Sequence, residues 1–349
     1  MKVLMKGNEA IAEAAIQSGC KLFFGYPITP QTEVAAYMAK KMPKIDGVYL
    51  QAESEVAAIN MVLGASAAGH RVMTSSSSPG ISLKSEGISY LAGSDLPAVI
   101  INVQRGGPGL GGIQPSQADY YQATKGLAHG DFHVLVLAPS TVQEMFDLTK
   151  KAFYLADKYR MPAMILADGI LGQMMEPLTY GETTEPALPA KDWAASGTEG
   201  KRKKNIINSL YLKPEELEQT VFDRFKRYNL IKQTEQQCEE YLADDADILV
   251  VAFGATARIA KNAINQAREQ GIKVGLLRPI TLFPFPSDVF AKHKGHVKAF
   301  ISAELSMGQL IDDVRLAINC EKPVHLCNRT GGVVLTPDEI LQSIEKANA

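Results

Sequence analysis

The chain of 349 residues is 46% hydrophobic and 21% charged, a composition that is typical of a folded enzyme and excludes a disordered or collagen-like chain, and its length favours two domains. Lysine and arginine (36) nearly balance aspartate and glutamate (38), so the net charge of −2 provides no basic field for holding nucleic acid. The apolar runs 96–103 and 248–253 are shorter than the ~20 residues that cross a bilayer, and Lys6, Asn8 and Glu9 interrupt any secretion signal, so we expect a cytoplasmic protein.

The first half of the chain alternates short β-rich runs with amphipathic stretches, which is the pattern of a parallel sheet covered by helices. The predicted strands are 21–24, 48–51, 71–75, 98–103, 134–138 and 163–167. Helices are predicted at 55–68 and 142–156, where apolar residues recur at three- and four-residue spacing. We therefore expect a doubly wound α/β domain.

A polar segment follows this first domain. Residues 176–200 are rich in Pro, Thr and Gly, residues 201–204 are basic, and alternating charges continue to about residue 247. This composition predicts a linker and a solvated arm, and it is compatible with a helix in that arm. It favours a surface insertion over an arm that wraps around another domain or subunit.

A second α/β unit is predicted after the arm. Its strands are expected at 248–253, 273–277, 299–303 and 324–326. A helix near 258–269 separates the first two strands, and Thr336 and Glu339 have the spacing of a capping box that opens the last helix. The predicted divisions are a first domain, a polar linker and arm, and a second domain, at 1–178, 179–246 and 247–349.

Polar loops follow several strands of the first domain, at the edge where open α/β sheets bind ligands. The loop 25–30 would place the Thr29 hydroxyl in that crevice, unless its prolines only stiffen a turn and Thr29 caps the helix. Glu55 would point into the same crevice, although the helix dipole favours a glutamate at a helix start whatever the function. The apolar residues 56–59 behind it favour a carboxyl shielded from water. The hydroxyl-rich run 74–80 forms a third such loop.

The densest glycine segment, 105–112, contains the G-x-G-x-x-G spacing of dinucleotide-binding loops. We reject a dinucleotide site because Pro115 intervenes and the next helix is expected to open later, at a capping box of Ser116 and Asp119. What remains is a flexible loop with Arg105 at its base, suited to a carboxylate or phosphate unless Arg105 pairs with a structural acid. The four cysteines lack the spacing of a disulfide framework, a zinc site or an iron–sulfur cluster.

These loops, in this order and at these separations, resemble those of the α subunit of a 2-oxoacid:ferredoxin oxidoreductase. The resemblance covers residues 1–178 and continues from about residue 248, and it is nearest to the 2-oxoisovalerate (3-methyl-2-oxobutanoate) branched-chain type. The motifs that carry it are GYPITPQTE, QAESEVAAINMVLGA, SSSSPGISLKSEG, NVQRGGPGLGGIQPSQADY and ADGILGQMMEP. It implies a thiamine diphosphate enzyme in which this chain supplies two doubly wound domains, a pyrimidine-binding (Pyr) domain and a transketolase C-terminal-like domain.

The resemblance also implies roles for individual residues. Glu55 matches the glutamate that hydrogen-bonds N1′ of the aminopyrimidine and promotes the tautomer that takes the proton from thiazolium C2. Thr29 matches the threonine near the substrate, and Arg105 matches the arginine that holds the substrate carboxylate. The same match gives further cofactor contacts to Pro27, Ile28, Ser76 and Ser77. It implies no metal ligand on this chain.

The resemblance divides the cofactor site between two chains. The family's diphosphate motif is Gly-Asp-Gly followed by paired asparagines, whereas Asp168-Gly169 has no such pair downstream. A β subunit would therefore bind the diphosphate and Mg²⁺, and γ and ferredoxin-like δ subunits would complete a complex whose iron–sulfur clusters lie outside this chain. The implied reaction converts a branched 2-oxoacid and coenzyme A to isobutanoyl-CoA and CO₂ and reduces ferredoxin. Two alternatives stay open, another thiamine diphosphate-dependent decarboxylase or synthase and a non-catalytic scaffold subunit.

Overall fold

A computed structural model describes residues 2–181, 187–188 and 190–349 of the chain. The strands of its first half are β1 (Lys2–Lys6), β2 (Leu22–Gly25), β3 (Val48–Gln51), β4 (Val72–Ser76), β5 (Ala98–Gln104), β6 (Leu135–Leu137), β7 (Pro162–Asp168) and β8 (Met175–Thr179). Its helices are α1 (Gly7–Gln17), α2 (Thr32–Lys41), α3 (Glu55–Ala67), α4 (Ser78–Gly93), α5 (Tyr120–Thr124), α6 (Val142–Tyr159) and α7 (Gly169–Gln173), with a 3₁₀ turn at Met42–Ile45.

The second half begins with a helix that lies within the predicted arm. Its helices are α8 (Pro214–Thr234), α9 (Gly254–Glu269), α10 (Ser287–His293), α11 (Leu310–Ala317) and α12 (Pro337–Asn348). Its strands are β9 (Cys238–Tyr241), β10 (Ile248–Val251), β11 (Val274–Pro279), β12 (Thr281–Phe283), β13 (Ala299–Glu304) and β14 (Val324–Asn328). None of the helices that the structure describes is long and apolar enough to span a membrane.

The large sheet of the first half has seven strands in the order β12-β6-β7-β5-β4-β2-β3. Six of these strands pair in parallel, and β12 joins β6 in the antiparallel sense. The central strands β4, β5 and β7 are buried along their whole length because helices cover both faces of the sheet. The expected doubly wound α/β fold is confirmed.

The second sheet has five strands in the order β14-β13-β10-β11-β9. Its first four strands are parallel, and β9 is an antiparallel edge strand. The capping box that opens α12 is confirmed, since the Thr336 hydroxyl accepts a hydrogen bond from the Glu339 backbone N–H at 3.3 Å and the Glu339 carboxylate accepts one from the Thr336 N–H at 2.9 Å.

Four strands were not predicted from the sequence. β1 and β8 form a separate antiparallel pair, and β9 and β12 extend the two larger sheets. β12 links the two halves of the chain. It comes after β10 and β11 of the second sheet in the sequence, but it pairs at the edge of the sheet of the first domain. The two halves therefore share a sheet as well as an interface.

Candidate functional site

The loops singled out in the sequence meet at one edge of the seven-stranded sheet. β2, β3, β4 and β5 run in parallel, so their carboxyl ends lie on the same side. The segments that leave these ends are 26–31, 52–54, 77 and 105–119. The structure thus brings Thr29, Glu55, the serine run and Arg105 to one side of the sheet.

Glu55 is the first residue of α3, and its side chain is only 6% exposed. The helix starts there because the Ser54 hydroxyl accepts a hydrogen bond from the Ala57 N–H at 3.1 Å, which is an ordinary N-cap. The neighbouring carboxyl, that of Glu53, lies on an exposed residue. The apolar stretch after Glu55 is only partly buried: Ala58 and Ile59 are buried, whereas Val56 is 45% exposed.

The Glu55 carboxylate lies against the backbone of α4 at Gly80. A Cβ atom on Gly80 would stand 2.8 Å from Glu55 Oε1 and would overlap the Ser76 hydroxyl. A side chain at Gly80 would therefore displace the carboxylate from its place beside β4. From the sequence, Gly80 was expected only to form part of a turn. In the structure, its lack of a side chain makes room for Glu55.

Two hydroxyls near the start of α4 are buried without a hydrogen-bonding partner among the described residues. They are Ser76 Oγ at the end of β4 and Ser77 Oγ at the N-cap of α4. The Ser76 hydroxyl borders Gly80 together with Glu55. A buried hydroxyl without a partner costs about 1–3 kcal/mol, so such pairs occur where a ligand supplies the missing contacts. Both residues were expected to contact the cofactor.

Arg105 lies at the end of β5 and is 8% exposed. Its Nη1 donates to the Thr29 carbonyl at 3.1 Å and its Nη2 to the Leu110 carbonyl at 3.2 Å, while its buried Nε has no partner in the described part of the chain. The guanidinium therefore joins the loop after β2 to the glycine loop. No salt bridge to an acid is made by Arg105 among the residues that the structure describes.

The loop after β2 places Thr29 and Pro27 at exposed positions and Ile28 at a half-buried one. The alternative in which Thr29 caps α2 is wrong, because α2 begins at Thr32 with Gln31 as its N-cap. This leaves the Thr29 side chain outside the helix, next to the carbonyl that Arg105 binds.

Several residues that hold the site together were not predicted. Gln31 is fully buried, and its Oε1 accepts a hydrogen bond from the Ser75 hydroxyl at 2.5 Å, which ties the loop after β2 to the end of β4. Asp119 accepts hydrogen bonds from the Ser78 hydroxyl at 2.6 Å and the Asn102 amide at 2.9 Å. Burial raises the pKa of the Asp119 carboxyl above its usual value. Its pairing with the first residue of α4 and with Asn102 inside β5 had no local sequence signal.

The capping box expected at Ser116 and Asp119 is not formed. Ser116 Oγ accepts from the Ala118 N–H at 3.1 Å, and α5 starts only at Tyr120 without a side-chain cap from Asp119. The Asp119 carboxylate is turned to Ser78 instead, because it is buried between β5 and α4. The expectation of a late helix start is confirmed, and the reason given for it is wrong.

Lys84 is the least expected residue of the site. It lies on α4 with no exposed surface, and its Nζ donates to Thr74 Oγ1 at 2.7 Å and to the Ser75 carbonyl at 3.0 Å. Burial lowers the pKa of the Lys84 ammonium to about 7, and the Glu55 carboxylate opposes this effect. A lysine followed by Ser85 and Glu86 on a helix is expected at the surface, so nothing in the local sequence indicated its burial.

The second half of the chain holds the glycine loop in place. Gln117 Nε2 donates to the Phe253 carbonyl at 2.8 Å, and Gln117 Oε1 accepts from the Thr256 hydroxyl at 2.8 Å and the Leu305 N–H at 3.2 Å. The backbone of Gly331 also approaches Gly106 closely enough that a Cβ on Gly106 would meet it at 3.5 Å. The second unit therefore supports the site without placing a described reactive side chain in it.

Asp168 of the partial Gly-Asp-Gly motif is committed to backbone groups. It is fully buried, Oδ1 accepts from the N–H groups of Ile170 and Leu171 at 3.0 and 3.1 Å, and Oδ2 accepts from the Ala255 N–H at 3.2 Å. Burial raises the pKa of this carboxyl. Asp168 thus caps α7 and links it to the second unit.

Comparison with protein families identifies the family to which the chain belongs. Residues 13–240 match the family described as pyruvate flavodoxin/ferredoxin oxidoreductase, thiamine diphosphate-binding, and residues 246–340 match pyruvate:ferredoxin oxidoreductase core domain II. The chain belongs to the 2-oxoacid:ferredoxin oxidoreductase family. It is an α-type, thiamine diphosphate-dependent oxidoreductase subunit, which confirms the resemblance drawn from its motifs.

Named members of this oxidoreductase family match nearly the whole chain. It is 50% identical over 343 residues to the ketoisovalerate oxidoreductase subunit VorB of Methanothermobacter thermautotrophicus, covering 98% of this chain and 97% of that one. It is 35% identical over 369 residues to the 2-oxoglutarate synthase subunit KorA of Methanocaldococcus jannaschii, covering 99% of this chain and 100% of that one. The subunit names of these relatives imply further chains in the complex.

Two solved structures share the fold. The 2-oxoglutarate:ferredoxin oxidoreductase of Magnetococcus marinus, with 2-oxoglutarate, coenzyme A and succinyl-CoA bound, superposes with a TM-score of 0.90 at 28% identity, covering all of this chain and 65% of that chain. A split-gene transketolase, described as an inactive β4 tetramer, superposes with a TM-score of 0.63 at 16% identity, covering 98% of each chain. The present chain thus spans about two thirds of the Magnetococcus oxidoreductase chain.

The residues at the sheet edge fit the pyrimidine end of thiamine diphosphate. The ring offers several nitrogen groups that hydrogen-bond, and the site offers a buried carboxylate at Glu55 together with the unpartnered hydroxyls of Ser76 and Ser77. The diphosphate end needs phosphate and metal ligands, and Asp168 already uses its oxygens on backbone N–H groups. The chain is therefore suited to hold one end of the cofactor.

Proposed function

We propose that the chain is the catalytic α-type subunit of a complex that oxidatively decarboxylates 2-oxoisovalerate. The products are isobutanoyl-CoA and CO₂, and the electrons pass one at a time to ferredoxin. The substrate assignment is supported by the 50% identity to ketoisovalerate oxidoreductase subunits, against 34–35% for the 2-oxoglutarate synthase subunits of methanogens. The observation that carries the catalytic role is the buried Glu55 carboxylate, which borders Gly80 together with the unpartnered Ser76 hydroxyl.

Glu55 takes the part of the proton-exchanging group in this proposal. Thiamine diphosphate, when bound, supplies the nucleophilic carbon that attacks the 2-oxo group. The Glu55 carboxyl would share one proton with N1′ of the pyrimidine, donating it when the carboxyl is protonated and accepting it back when the carboxyl is ionised. Its 6% exposure and its contact with Gly80 limit both the access of water and the movement of the carboxylate. Ser76, Ser77, Pro27 and Ile28 complete the pyrimidine contacts.

Thr29 and Arg105 bind the substrate. Arg105 keeps unused N–H groups after its bonds to the Thr29 and Leu110 carbonyls, since a guanidinium has five donors. These donors form a charge-assisted hydrogen bond with the 2-oxoacid carboxylate, and the exposed Thr29 side chain lies beside the same group. The two carbonyls fix the plane of the guanidinium before substrate arrives.

The remainder of the cofactor site is assigned to other chains. A β subunit supplies the diphosphate and Mg²⁺ ligands, and γ and ferredoxin-like δ subunits carry iron–sulfur clusters. Exposed apolar side chains near the Glu55 edge support a partner surface there, with 36–55% exposure at Tyr26, Val48, Leu50, Val56 and Leu83. The cytoplasmic location expected from the sequence and the domain limits 1–178, 179–246 and 247–349 are part of this proposal.

The test compares Glu55→Ala with Glu53→Ala in the complex purified with its native partner chains. Glu53 is the matched control because it is an exposed glutamate two residues away. Turnover is measured with 2-oxoisovalerate, 2-oxoglutarate or pyruvate in the presence of coenzyme A and oxidised viologen, and products are separated as acyl-CoA and free aldehyde. We expect Glu55→Ala to lose at least about 100-fold in turnover and Glu53→Ala to keep it.

Each outcome of this test bears on a different part of the proposal. Near-normal turnover by Glu55→Ala would overturn the catalytic role. A preference of the wild-type complex for 2-oxoglutarate would overturn the substrate assignment and leave the reaction type standing. Free aldehyde as the sole product would favour a decarboxylase, and failure of the assembled complex to bind thiamine diphosphate would favour a scaffold subunit.

A further inference from the structure

The glycine loop after β5 exposes large apolar side chains beside the site. Leu110 is 85% exposed, and Ile113 on the same loop is 58% exposed. Single apolar residues on a protein surface are common, but Leu110 also gives its carbonyl group to the guanidinium of Arg105. Ligand sites combine a few polar groups that fix orientation with apolar groups that contact the rest of the ligand. An exposed leucine next to a binding arginine has the chemistry of such a contact.

Hydrogen bonds within the glycine loop fix the place of Leu110. The Gly106 N–H donates to the Gln114 carbonyl at 2.9 Å, and the Gly112 N–H donates to the Gly106 carbonyl at 2.9 Å. Gly111 has a φ of +60°, and a Cβ atom there would overlap the Gly106 carbonyl oxygen. The loop is thus folded back tightly at Gly111, and Leu110 lies in the turn just before it.

This turn keeps Leu110 close to the guanidinium. Arg105 Nη2 donates to the Leu110 carbonyl oxygen at 3.2 Å. The Cα atom of a residue lies about 2.4 Å from its own carbonyl oxygen, so the Leu110 side chain leaves the backbone within about 6 Å of Nη2. In a 2-oxoacid, the side chain begins two bonds from the carboxylate carbon. When Arg105 binds that carboxylate, the substrate side chain therefore begins at a comparable distance from the guanidinium.

The two loops that Arg105 joins contain no second charge. Residues 26–31 have the sequence YPITPQ and residues 106–115 have the sequence GGPGLGGIQP. A 2-oxoacid with a second carboxylate would lose hydration beside Leu110 without gaining a cationic partner from either loop, which is unfavourable. A branched aliphatic side chain needs no such partner, because removal of its apolar surface from water is itself favourable. The chemistry of the two loops thus favours an aliphatic substrate.

We propose that Leu110 is a specificity-determining residue: its side chain contacts the apolar side chain of the 2-oxoacid whose carboxylate Arg105 binds, and it selects a branched aliphatic substrate over a charged one. This inference rests on the proposed function, because it takes the position of the substrate from Arg105. On binding, the exposed leucine and the methyl groups of the substrate leave water together. The same contact discriminates against pyruvate, which offers a single methyl group.

The experiment changes the Leu110 side chain in two directions. Leu110→Ala removes the apolar contact, and Leu110→Lys puts a cation in its place. Leu316→Ala is the matched control, because Leu316 is an exposed leucine on α11, outside the two loops. In the complex with its native partner chains, kcat/KM is measured for 2-oxoisovalerate, pyruvate and 2-oxoglutarate. The Kd of thiamine diphosphate and the mass of the complex by light scattering are measured in parallel.

We expect the ratio of kcat/KM for 2-oxoisovalerate to that for pyruvate to fall about tenfold in Leu110→Ala, since one methylene group in an apolar pocket is discriminated by a factor of about ten or more. Leu110→Lys should raise kcat/KM for 2-oxoglutarate about tenfold, because the ammonium forms a charge-assisted hydrogen bond with the second carboxylate. Such a gain cannot arise from partial unfolding. Leu316→Ala should keep all three values, and no variant should change the Kd of thiamine diphosphate or the mass of the complex.

The outcomes distinguish this inference from the proposed function. An unchanged ratio of 2-oxoisovalerate to pyruvate in Leu110→Ala overturns the role of Leu110. A lower mass of the Leu110→Ala complex, with an equal loss for all three substrates, would show that the leucine contacts a partner chain and would also overturn it. Arg105→Lys is assayed alongside: an unchanged KM overturns the substrate position in the proposed function, whereas a raised KM with unchanged Leu110→Ala ratios overturns only the role of Leu110.

Discussion

The contact between Gly80 and Glu55 leads to a prediction in which one methyl group disturbs the site without changing any charge. In Gly80→Ala the added Cβ would stand 2.8 Å from Glu55 Oε1 and overlap the Ser76 hydroxyl. Ser76 can rotate away, whereas Glu55 is confined by burial and by the start of α3. The carboxylate oxygen must therefore retreat by about 0.6 Å to reach ordinary contact near 3.4 Å.

The size of this displacement sets the expected effect. Misplacement of a catalytic group by about 1 Å can cost on the order of 100-fold in rate, so a shift of about half that distance should lower turnover by roughly 10-fold or more. Overpacking of a buried site costs about 1–3 kcal/mol, which is offset in part because alanine favours a helix by up to about 1 kcal/mol over glycine. Turnover should therefore fall more clearly than stability.

The assay compares Gly80→Ala with Gly64→Ala in the complex with its native partner chains. Gly64 is the matched control because it lies on α3, the helix of Glu55, and an added Cβ there meets nothing within 4 Å. We expect Gly64→Ala to keep full turnover and to melt at or above the wild-type temperature. A Gly80→Ala complex with wild-type turnover and thiamine diphosphate affinity would refute the close fit between Gly80 and the carboxylate.

Three further predictions concern the arginine proposed to bind the substrate, the contact between the two halves of the chain, and the pH dependence of stability. Arg105→Lys keeps the charge but loses the planar fork, so KM for the 2-oxoacid should rise about tenfold or more while the Kd of thiamine diphosphate stays unchanged; an unchanged KM would contradict the substrate role. Gln117→Ala leaves buried groups of the second half without partners, so urea unfolding of the chain should show a loss of about 2–3 kcal/mol. Burial, followed by the charges of Lys232 and Lys125, lowers the pKa of His133 from 6.5 to about 4, so the unfolded chain binds more protons between these values and stability falls as pH drops through that window. In His133→Phe, the loss of unfolding free energy between pH 7 and pH 5 should be smaller by about 1–2 kcal/mol, a figure already reduced because solvent screens the partly exposed ring. Urea midpoints that change equally in the two proteins between pH 7 and pH 5 would contradict this.

The elements set by short-range pattern were predictable from the sequence. β5 and β7 are continuous apolar runs bounded by polar turns, and the start of α3 at Glu55 has its serine cap next to it. β12 was not predictable, because its three residues gain their strand partners only when the second half of the chain folds against β6. Such pairing is decided by tertiary structure, which a local pattern does not contain.

The candidate site was likewise predictable from the sequence only in part. The place of Thr29 and Arg105 at one edge of the sheet was predictable, because the carboxyl ends of parallel strands lie at the same edge. The burial of Lys84 and Gly80 was not predictable, since it depends on which face of α4 turns inward. The arm is an intermediate case: α8 was anticipated as helical, but its Arg224 is buried and donates to Asp95, so one face of the arm packs on the first domain.

The unpartnered polar atoms of the site connect its structure to the need for a cofactor. Ser76 Oγ, Ser77 Oγ and Arg105 Nε are buried and make no hydrogen bond to the described residues, and each such group costs about 1–3 kcal/mol. Nearby, the ionisable side chains of Lys84 and Glu55 are buried. A core selected for stability alone would replace these groups by apolar ones. A polar ligand that enters the site gives these groups hydrogen-bonding partners and removes their unfavourable free energy. Thiamine diphosphate should therefore stabilise the folded complex by more than its contacts with exposed groups alone would provide.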